Sequence, residues 1–403
     1  MKVLYLANPL RSGTGGDRRS FEVLRRIAKL GVESVIVVDD FVWQKMKRSG
    51  DTWFSPNQKV YSVKRANVVY DKRFKSASRA ALDYYSIQVS ARQIAQIARQ
   101  EHVELIVSEH EKIDFLLEAH HAAEKCRVPW TCVFQSFLFP PYASTPWRRV
   151  STSRKAYLFA LYGLLYARIL EAAKSTILLA VSPSIEVDIK RYFGGWQGKM
   201  HVLRPGVAVE QQKIQQAQPS NEKVDAIFFS RLVPEKGIYD LPKVAAELAR
   251  EKPDFKLWVL GRFDSAAMRS RFEGLVASNS VGKNVVYGGY REGPALYGLV
   301  KAAKVLVYPS QHDAFPLVVL EALAAGTPVV AYDIPAIKLN FPPDIVRKVP
   351  VGDAKAMAAE AQKLIVDDKL RTALSERALA FAAGFSWDNA VAAERQAYES
   401  VLR

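Results

Sequence analysis

Short apolar runs alternate with stretches of helical period along the whole chain. Lys2–Ala7, Ser34–Val38, Val103–Val107, Pro129–Phe134 and Ile177–Val181 read as buried strands in the first half. Asp225–Ser230, Phe255–Leu260, Val285–Tyr287, Val305–Tyr308 and Pro328–Ala331 do so in the second. Between them lie helical patterns. Asp17–Leu30 places Phe21, Leu24, Ile27 and Ala28 on one face and stops at Gly31. Ser86–Gln100, Ser182–Phe193, Ile238–Arg250 and Tyr297–Ala303 follow, and a last helix runs from Phe385-Ser386-Trp387 to Leu402. Strands alternating with helices predict an α/β fold with parallel sheets. Phe41–Tyr85 has poor period, and a β-hairpin is expected there over Val60–Tyr70. The Gln-rich segment Glu210–Glu222 reads as a linker between two halves.

Two loops carry candidate chemistry. The strand Val305–Tyr308 breaks at Pro309-Ser310, and Gln311-His312-Asp313 leads to a helix expected to open at Pro316 and end near Gly326. Pro316 suits the first helical position, where its missing N–H costs nothing. Asp313 then lies beside a helix N-terminus, where unpaired N–H groups favour anions. Glu321 sits within an otherwise apolar helix, so its carboxylate needs a partner. The second loop, Arg231–Gly237, brings Arg231 and Lys236 to the end of another strand.

Composition narrows the class. The 403 residues suffice for two or three domains, and 49% hydrophobic with 24% charged is ordinary globular material. Cys126 and Cys132 are too few for a disulfide framework and lack zinc spacing, so a reducing cytoplasmic setting is expected. No secretory signal is expected, and no run is long enough to span a bilayer. The net charge of +16 is uneven: residues 1–205 hold 32 Lys and Arg against 18 Asp and Glu, a balance of +14. Such asymmetry points to an anionic partner: a membrane surface, a phosphate-bearing acceptor or nucleic acid. A solvated basic surface explains it equally. Basic and aromatic residues interleave from Phe41 to Arg79, a pattern open to single strands or to a lipid interface. Tyr157–Tyr166, behind Arg148, Arg149, Arg154 and Lys155, reads either as an interfacial helix or as a buried one.

Gly13-x-Gly15 begins a dinucleotide fingerprint, but its third position is Arg18, too large for close helix–strand packing, so NAD and FAD are not expected. His110 and Glu111 follow the strand Val103–Val107, where open α/β sheets bind ligands, although a solvated helix cap accounts for them too.

Asp313-x7-Glu321 with Ala322–Val330, Ser230-Arg231-Leu232 with Lys236-Gly237, and AVSPS…VLRPGV at the end of the first half together resemble retaining glycosyltransferases of family 4. The resemblance implies a GT-B architecture: two Rossmann-like domains facing across a cleft. Residues 1–208, with the helix 386–403 packed back on them, would form the acceptor domain, and 223–385 the nucleotide-sugar domain. It implies metal-independent hexosyl transfer from a UDP- or GDP-sugar to a polar or lipid-linked acceptor in glycan or glycolipid synthesis, with retained configuration. No bound cofactor and no metal are expected, since the nucleotide-sugar is a co-substrate.

The family's roles fall on named positions. Arg231 and Lys236 would neutralise the leaving diphosphate, a task suited to fixed cations. Asp313 would hold donor-sugar hydroxyls, and Glu321 the ribose. The backbone of Phe315, Pro316 and Leu317 would line phosphate or sugar. Gly261, Gly289 and Tyr290 would sit by the nucleotide, and Gly15 and Gly16 would let a phosphate or acceptor approach. Asp313 stands for the usual Glu, Ala314 for a common Gly, and Gln135 where relatives carry His near the donor sugar. The expected partners are a nucleotide-sugar, a carbohydrate or lipid-linked acceptor and an anionic membrane surface; no nucleic acid is expected. The expected place is the cytoplasm, with peripheral contact at the inner face of the membrane. Rival readings are another GT-B enzyme (epimerase or phosphorylase), or a basic nucleic-acid-binding or scaffold protein with a degenerate transferase fold.

Overall fold

A computed structural model describes residues 1–9, 15–50, 53–65, 77–136, 169–192 and 196–403. The chain forms two compact units, Met1–Val207 with Trp387–Arg403, and Ala208–Ser386.

The strands of the first unit are β1 (Lys2–Leu6), β2 (Glu33–Asp39), β3 (Gln58–Val63), β4 (Leu105–Ser108), β5 (Trp130–Phe134), β6 (Ile177–Ala180) and β7 (Lys199–Val202). They form one sheet in the order β3-β2-β1-β4-β5-β6-β7, every neighbouring pair parallel. The central strands are apolar throughout because helices cover both faces of such a sheet. Val3, Leu4, Tyr5 and Leu6 are fully buried, as are Leu105, Ile106 and Val107. The helices here are α1 (Gly15–Ile27), α2 (Asp40–Arg48), α3 (Ala77–Gln100), α4 (Ile113–Cys126) and α5 (Pro183–Tyr192). Asp39 ends β2 and caps α2 at once, its carboxylate accepting from Phe41 N at 2.9 Å.

The second unit holds β8 (Ala226–Phe229), β9 (Leu257–Leu260), β10 (Val285–Gly289), β11 (Val305–Tyr308), β12 (Val329–Tyr332) and β13 (Val346–Val349). Their order is β10-β9-β8-β11-β12-β13, again parallel. Its helices are α6 (Gln211–Gln216), α7 (Leu241–Glu251), α8 (Ala266–Ser278), α9 (Gly293–Ala302), α10 (Leu317–Ala324), α11 (Pro335–Asn340), α12 (Ala354–Val366) and α13 (Asp368–Ala383). A last helix, α14 (Trp387–Leu402), belongs to the first unit and packs on α1. In each sheet the strand order reverses once, between β1 and β4 and between β8 and β11. Loops leaving the C-terminal ends of those strand pairs splay apart and leave room for ligands.

Three expectations are corrected. The hairpin is not formed over Val60–Val63: these residues lie in β3, which pairs parallel to β2 in the register Val35↔Lys59 and Ile36↔Val60. Residues 66–70 of that segment, and the stretch Tyr157–Tyr166, lie outside the described residues. Glu210–Glu222 is not a bare linker. It carries α6, whose Ile214 is fully buried, and Lys301 Nζ donates to the Gln215 and Ala217 carbonyls at 2.7 and 2.9 Å. Pro316 is the N-cap rather than the first helical residue. Its ψ of 86° is not helical, and α10 begins at Leu317.

Candidate active site

The second unit gathers its polar groups at the switch between β8 and β11. Tyr308 ends β11 fully buried, and its hydroxyl needs an acceptor. It donates to Asp313 Oδ2, on the loop that follows. Lys236 Nζ reaches the same oxygen at 2.5 Å and lies 3.4 Å from the Tyr308 hydroxyl. The other Asp313 oxygen accepts from Ala314 N at 3.0 Å. Burial first, and then the Asp313 charge, push the Tyr308 hydroxyl well above its usual pKa, so it stays a donor.

The loop carrying Lys236 is held against the loop carrying Asp313. Gln311 N donates to Glu235 O at 2.9 Å, and Ser310 Oγ donates to the same carbonyl at 3.3 Å. Gly237 sits at φ 75°, and a Cβ there would stand 1.9 Å from Pro309 O. Only glycine permits that approach. Arg231 leaves β8 exposed, near enough for its charge to act on Tyr308. Two cations and one carboxylate thus share one switch point.

The remaining residues of this unit surround that core. Glu321, on α10, accepts from the Tyr297 hydroxyl at 3.0 Å, which supplies a partner for the carboxylate in its apolar helix. The Phe315 ring packs on Phe341 and Phe385, at 5.7 and 6.0 Å between centroids. That fixes the backbone through Pro316 to Leu317, where Leu317 N donates to Phe315 O at 3.0 Å. Gly261 N donates to Gly289 O at 2.9 Å, joining the ends of β9 and β10. Tyr290 lies exposed beyond them. Its hydroxyl donates to Glu292 at 2.9 Å, and the Arg262 guanidinium stacks 4.2 Å from its ring centroid.

In the first unit, Gly16, His110, Glu111 and Gln135 come together at the ends of β1, β4 and β5. A Cβ on Gly16 would stand 3.0 Å from Gln135 Oε1 and 3.3 Å from His110 Cε1. His110 Nε2 is 3.4 Å from Asp17, and its ring packs edge-on against Phe115. Glu111 accepts from Gln135 N at 3.0 Å and from Ser136 Oγ. Gln135 Nε2 donates to Glu109 O, while its Oε1 is buried with no hydrogen-bond partner among the described residues. α1 opens at Gly15, two residues before Asp17, where the helical pattern begins.

Sequence reasoning missed several members. Tyr308 and Tyr297 bind the two acids of the second unit, and Asp240 accepts from Tyr332 at 3.2 Å and Gln311 at 3.4 Å. A tyrosine closing an apolar strand was the signal for Tyr308, because its hydroxyl cannot be buried unpaired. In the first unit the neighbour of His110, Glu109, is fully buried. Arg19 binds Glu109 at 3.4 Å, Glu394 of α14, and Gly206 O at 2.7 Å; Tyr398 donates to Glu394. Burial, and then the Glu394 charge, raise the Glu109 pKa well above its ordinary value. His120, His121 and Glu124 of α4 also bring ligand atoms within 4.8 Å of one another. Cys126 and Cys132 are free thiols. Among the described residues no helix is long and apolar enough to cross a membrane.

Two doubly wound parallel sheets, with their polar groups at strand C-termini, define the GT-B fold. Over its length the chain resembles a glycosyltransferase from Rickettsia africae ESF-5, with TM-score 0.72 and 17% identity, covering 100% of this chain and 98% of that one. It is similar to HepE from Anabaena, solved in complex with UDP, at TM-score 0.71 and 14% identity over 99% and 100% of the two chains. In sequence, a D-inositol 3-phosphate glycosyltransferase of Corynebacterium diphtheriae is 30% identical over 234 residues, 54% of each chain. The chain spans about half the length of the curated relatives it matches. Residues 209–381 match the family described as Glycosyl transferases group 1, so the chain carries a domain of that family in its second unit.

Proposed function

We propose that the chain is a retaining glycosyltransferase whose second unit binds a nucleotide-sugar at the β8–β11 switch. One observation carries this reading: Lys236 and Asp313, from different loops, meet at 2.5 Å beside the exposed Arg231. A departing nucleoside diphosphate gains negative charge as the glycosidic bond breaks. Arg231 grips phosphate bidentately and Lys236 meets it as a point charge, which stabilises the transition state more than the ground state. Donor binding exchanges the Lys236–Asp313 ion pair for Lys236–phosphate, and frees Asp313 to accept from sugar hydroxyls. Glu321 binds the ribose, with Tyr297 steadying its carboxylate. The leaving phosphate takes the acceptor proton on the same face, so configuration is retained without a protein nucleophile, and Gln135 in place of His is tolerated.

The family of residues 209–381 supports a transferase, and HepE, solved with UDP, supports a nucleotide-linked donor. The acceptor is polar or lipid-linked. Relatives named for D-inositol 3-phosphate favour the polar class, and the basic first half suits an anionic one. Replacing Arg231 or Lys236 by Ala lowers release of nucleoside diphosphate by about 10²–10³-fold. Unchanged turnover in both variants contradicts the assignment.

A further inference from the structure

β2 and β3 end side by side in the first unit, and a cavity of about 750 Å³ is lined by residues that follow them. Four of its lining residues are cationic: Lys45 and Arg48 of α2, and Lys64 and Arg65 just beyond β3. Two are acidic: Asp39 and Asp40. The three cations other than Arg65 are exposed, whereas Arg65 is 7% exposed.

Arg65 is held firmly. Its Nε donates to Glu118 at 2.6 Å, Nη2 donates to the same oxygen, and the guanidinium stacks 3.6 Å from the Phe115 ring centroid. Its backbone N–H donates to Asp39 at 3.3 Å. Asp114 also acts on its charge. Nη1 is buried and has no hydrogen-bond partner among the described residues. The carboxylates beside it are not saturated. Asp39 accepts one bond at each oxygen from within the protein, and a carboxylate can accept about four. Phe41, 74% exposed, adds an apolar face at the same rim.

A bare anion would satisfy only the cations, and a neutral sugar only the carboxylates and the ring. We propose that this cavity binds a phosphorylated polyol. Its phosphate is held by Lys45, Arg48 and Lys64, and its hydroxyls donate to Asp39 and Asp40. Phe41 takes the C–H face of the ring. The site gives the transferase reading an acceptor class, and rests on that reading only for that role; binding itself needs no donor.

Isothermal calorimetry on the full chain, with no nucleotide present, compares glucose 6-phosphate, inorganic phosphate and glucose. Glucose 6-phosphate binds at least about 10-fold more tightly than either other probe, a gap of roughly 1.4 kcal/mol. Lys45→Ala and Arg48→Ala each weaken it by up to about 5-fold, the range of one exposed charge pair. Asp40→Asn weakens glucose 6-phosphate but not inorganic phosphate. All three positions are exposed, so the variants fold, and thermal melts verify it. Equal affinity for glucose 6-phosphate and phosphate, no binding at millimolar ligand, or indifference to all three substitutions overturns the proposal. So does binding to vesicles of phosphatidylserine by a chain that ignores glucose 6-phosphate. Donor binding at Arg231 is measured separately, so loss of one reading leaves the other standing.

Discussion

Lys236 and Asp313 neutralise each other, yet the proposed chemistry asks each to serve a different part of the donor. The shared oxygen Oδ2 also accepts from Tyr308, so one oxygen holds two groups. Glu321 accepts from Tyr297 on its apolar helix. Glu321→Gln keeps the shape and removes the charge. If the side chain binds ribose hydroxyls equally in ground and transition states, the donor KM rises about 10-fold with kcat unchanged. Steady-state kinetics decide it; a fall in kcat with KM unchanged moves Glu321 from binding to chemistry. Arg231, Lys236, Asp313 and Glu321 were legible in the sequence because two local motifs carry them. Tyr308 and Tyr297 were not, because each meets its acid only after strand and helix pack. Glu109 was hidden for the same reason: its partners Arg19 and Glu394 come from the two ends of the chain.

The central strands were legible as elements because parallel strands covered on both faces read as unbroken apolar runs. β7, with the sequence KMHV, and β13, with VRKV, were not anticipated, since these edge strands break the apolar run: β7 leaves alternate positions to solvent, and β13 half-exposes Arg347 and Lys348. β3 was taken for half of a hairpin for a similar reason: its Lys59 and Ser62 are exposed, and its pairing partner lies far back in the chain. Two clusters tie distant elements together. Glu101, just past α3, accepts from Lys2 of β1 and from Lys59 and Tyr61 of β3. The Lys59 and Tyr61 bonds, then Lys2, hold its carboxyl at about 2, against an ordinary value of 4.5. The folded state therefore binds this proton less readily than the unfolded one. Its stabilising effect is complete above pH 4.5 and is lost as pH falls toward 2. Glu101→Gln removes that dependence, and urea melts across this window show a flatter acid limb than wild type. An unchanged limb contradicts the role.

Arg19 binds α14 to the first unit through Glu394. Glu394→Ala leaves a fully buried guanidinium short of its partner, and costs about 3–5 kcal/mol in equilibrium unfolding. A loss below about 1 kcal/mol shows that Arg19 finds an equivalent partner elsewhere.

At the scale of the whole molecule, two sheets of like topology carry unlike chemistry. The second places two cations and a carboxylate at its switch point. The first places His110, Glu111 and Gln135 there, with a basic cavity beyond β2 and β3. That division follows the charge, which is concentrated in residues 1–205. The family match, residues 209–381, lies within the second unit. The central claim is that the β8–β11 switch holds a nucleotide-sugar through Arg231 and Lys236. Thermal shift with UDP-, GDP- and ADP-sugars tests it most directly, because a ligand bound to the native state at 100 times its Kd adds about 2.7 kcal/mol of stability. The account predicts that at least one donor raises the Tm of the wild-type chain, and that Arg231→Ala and Lys236→Ala abolish most of that rise. No shift with any donor, or an equal shift in both variants, contradicts it.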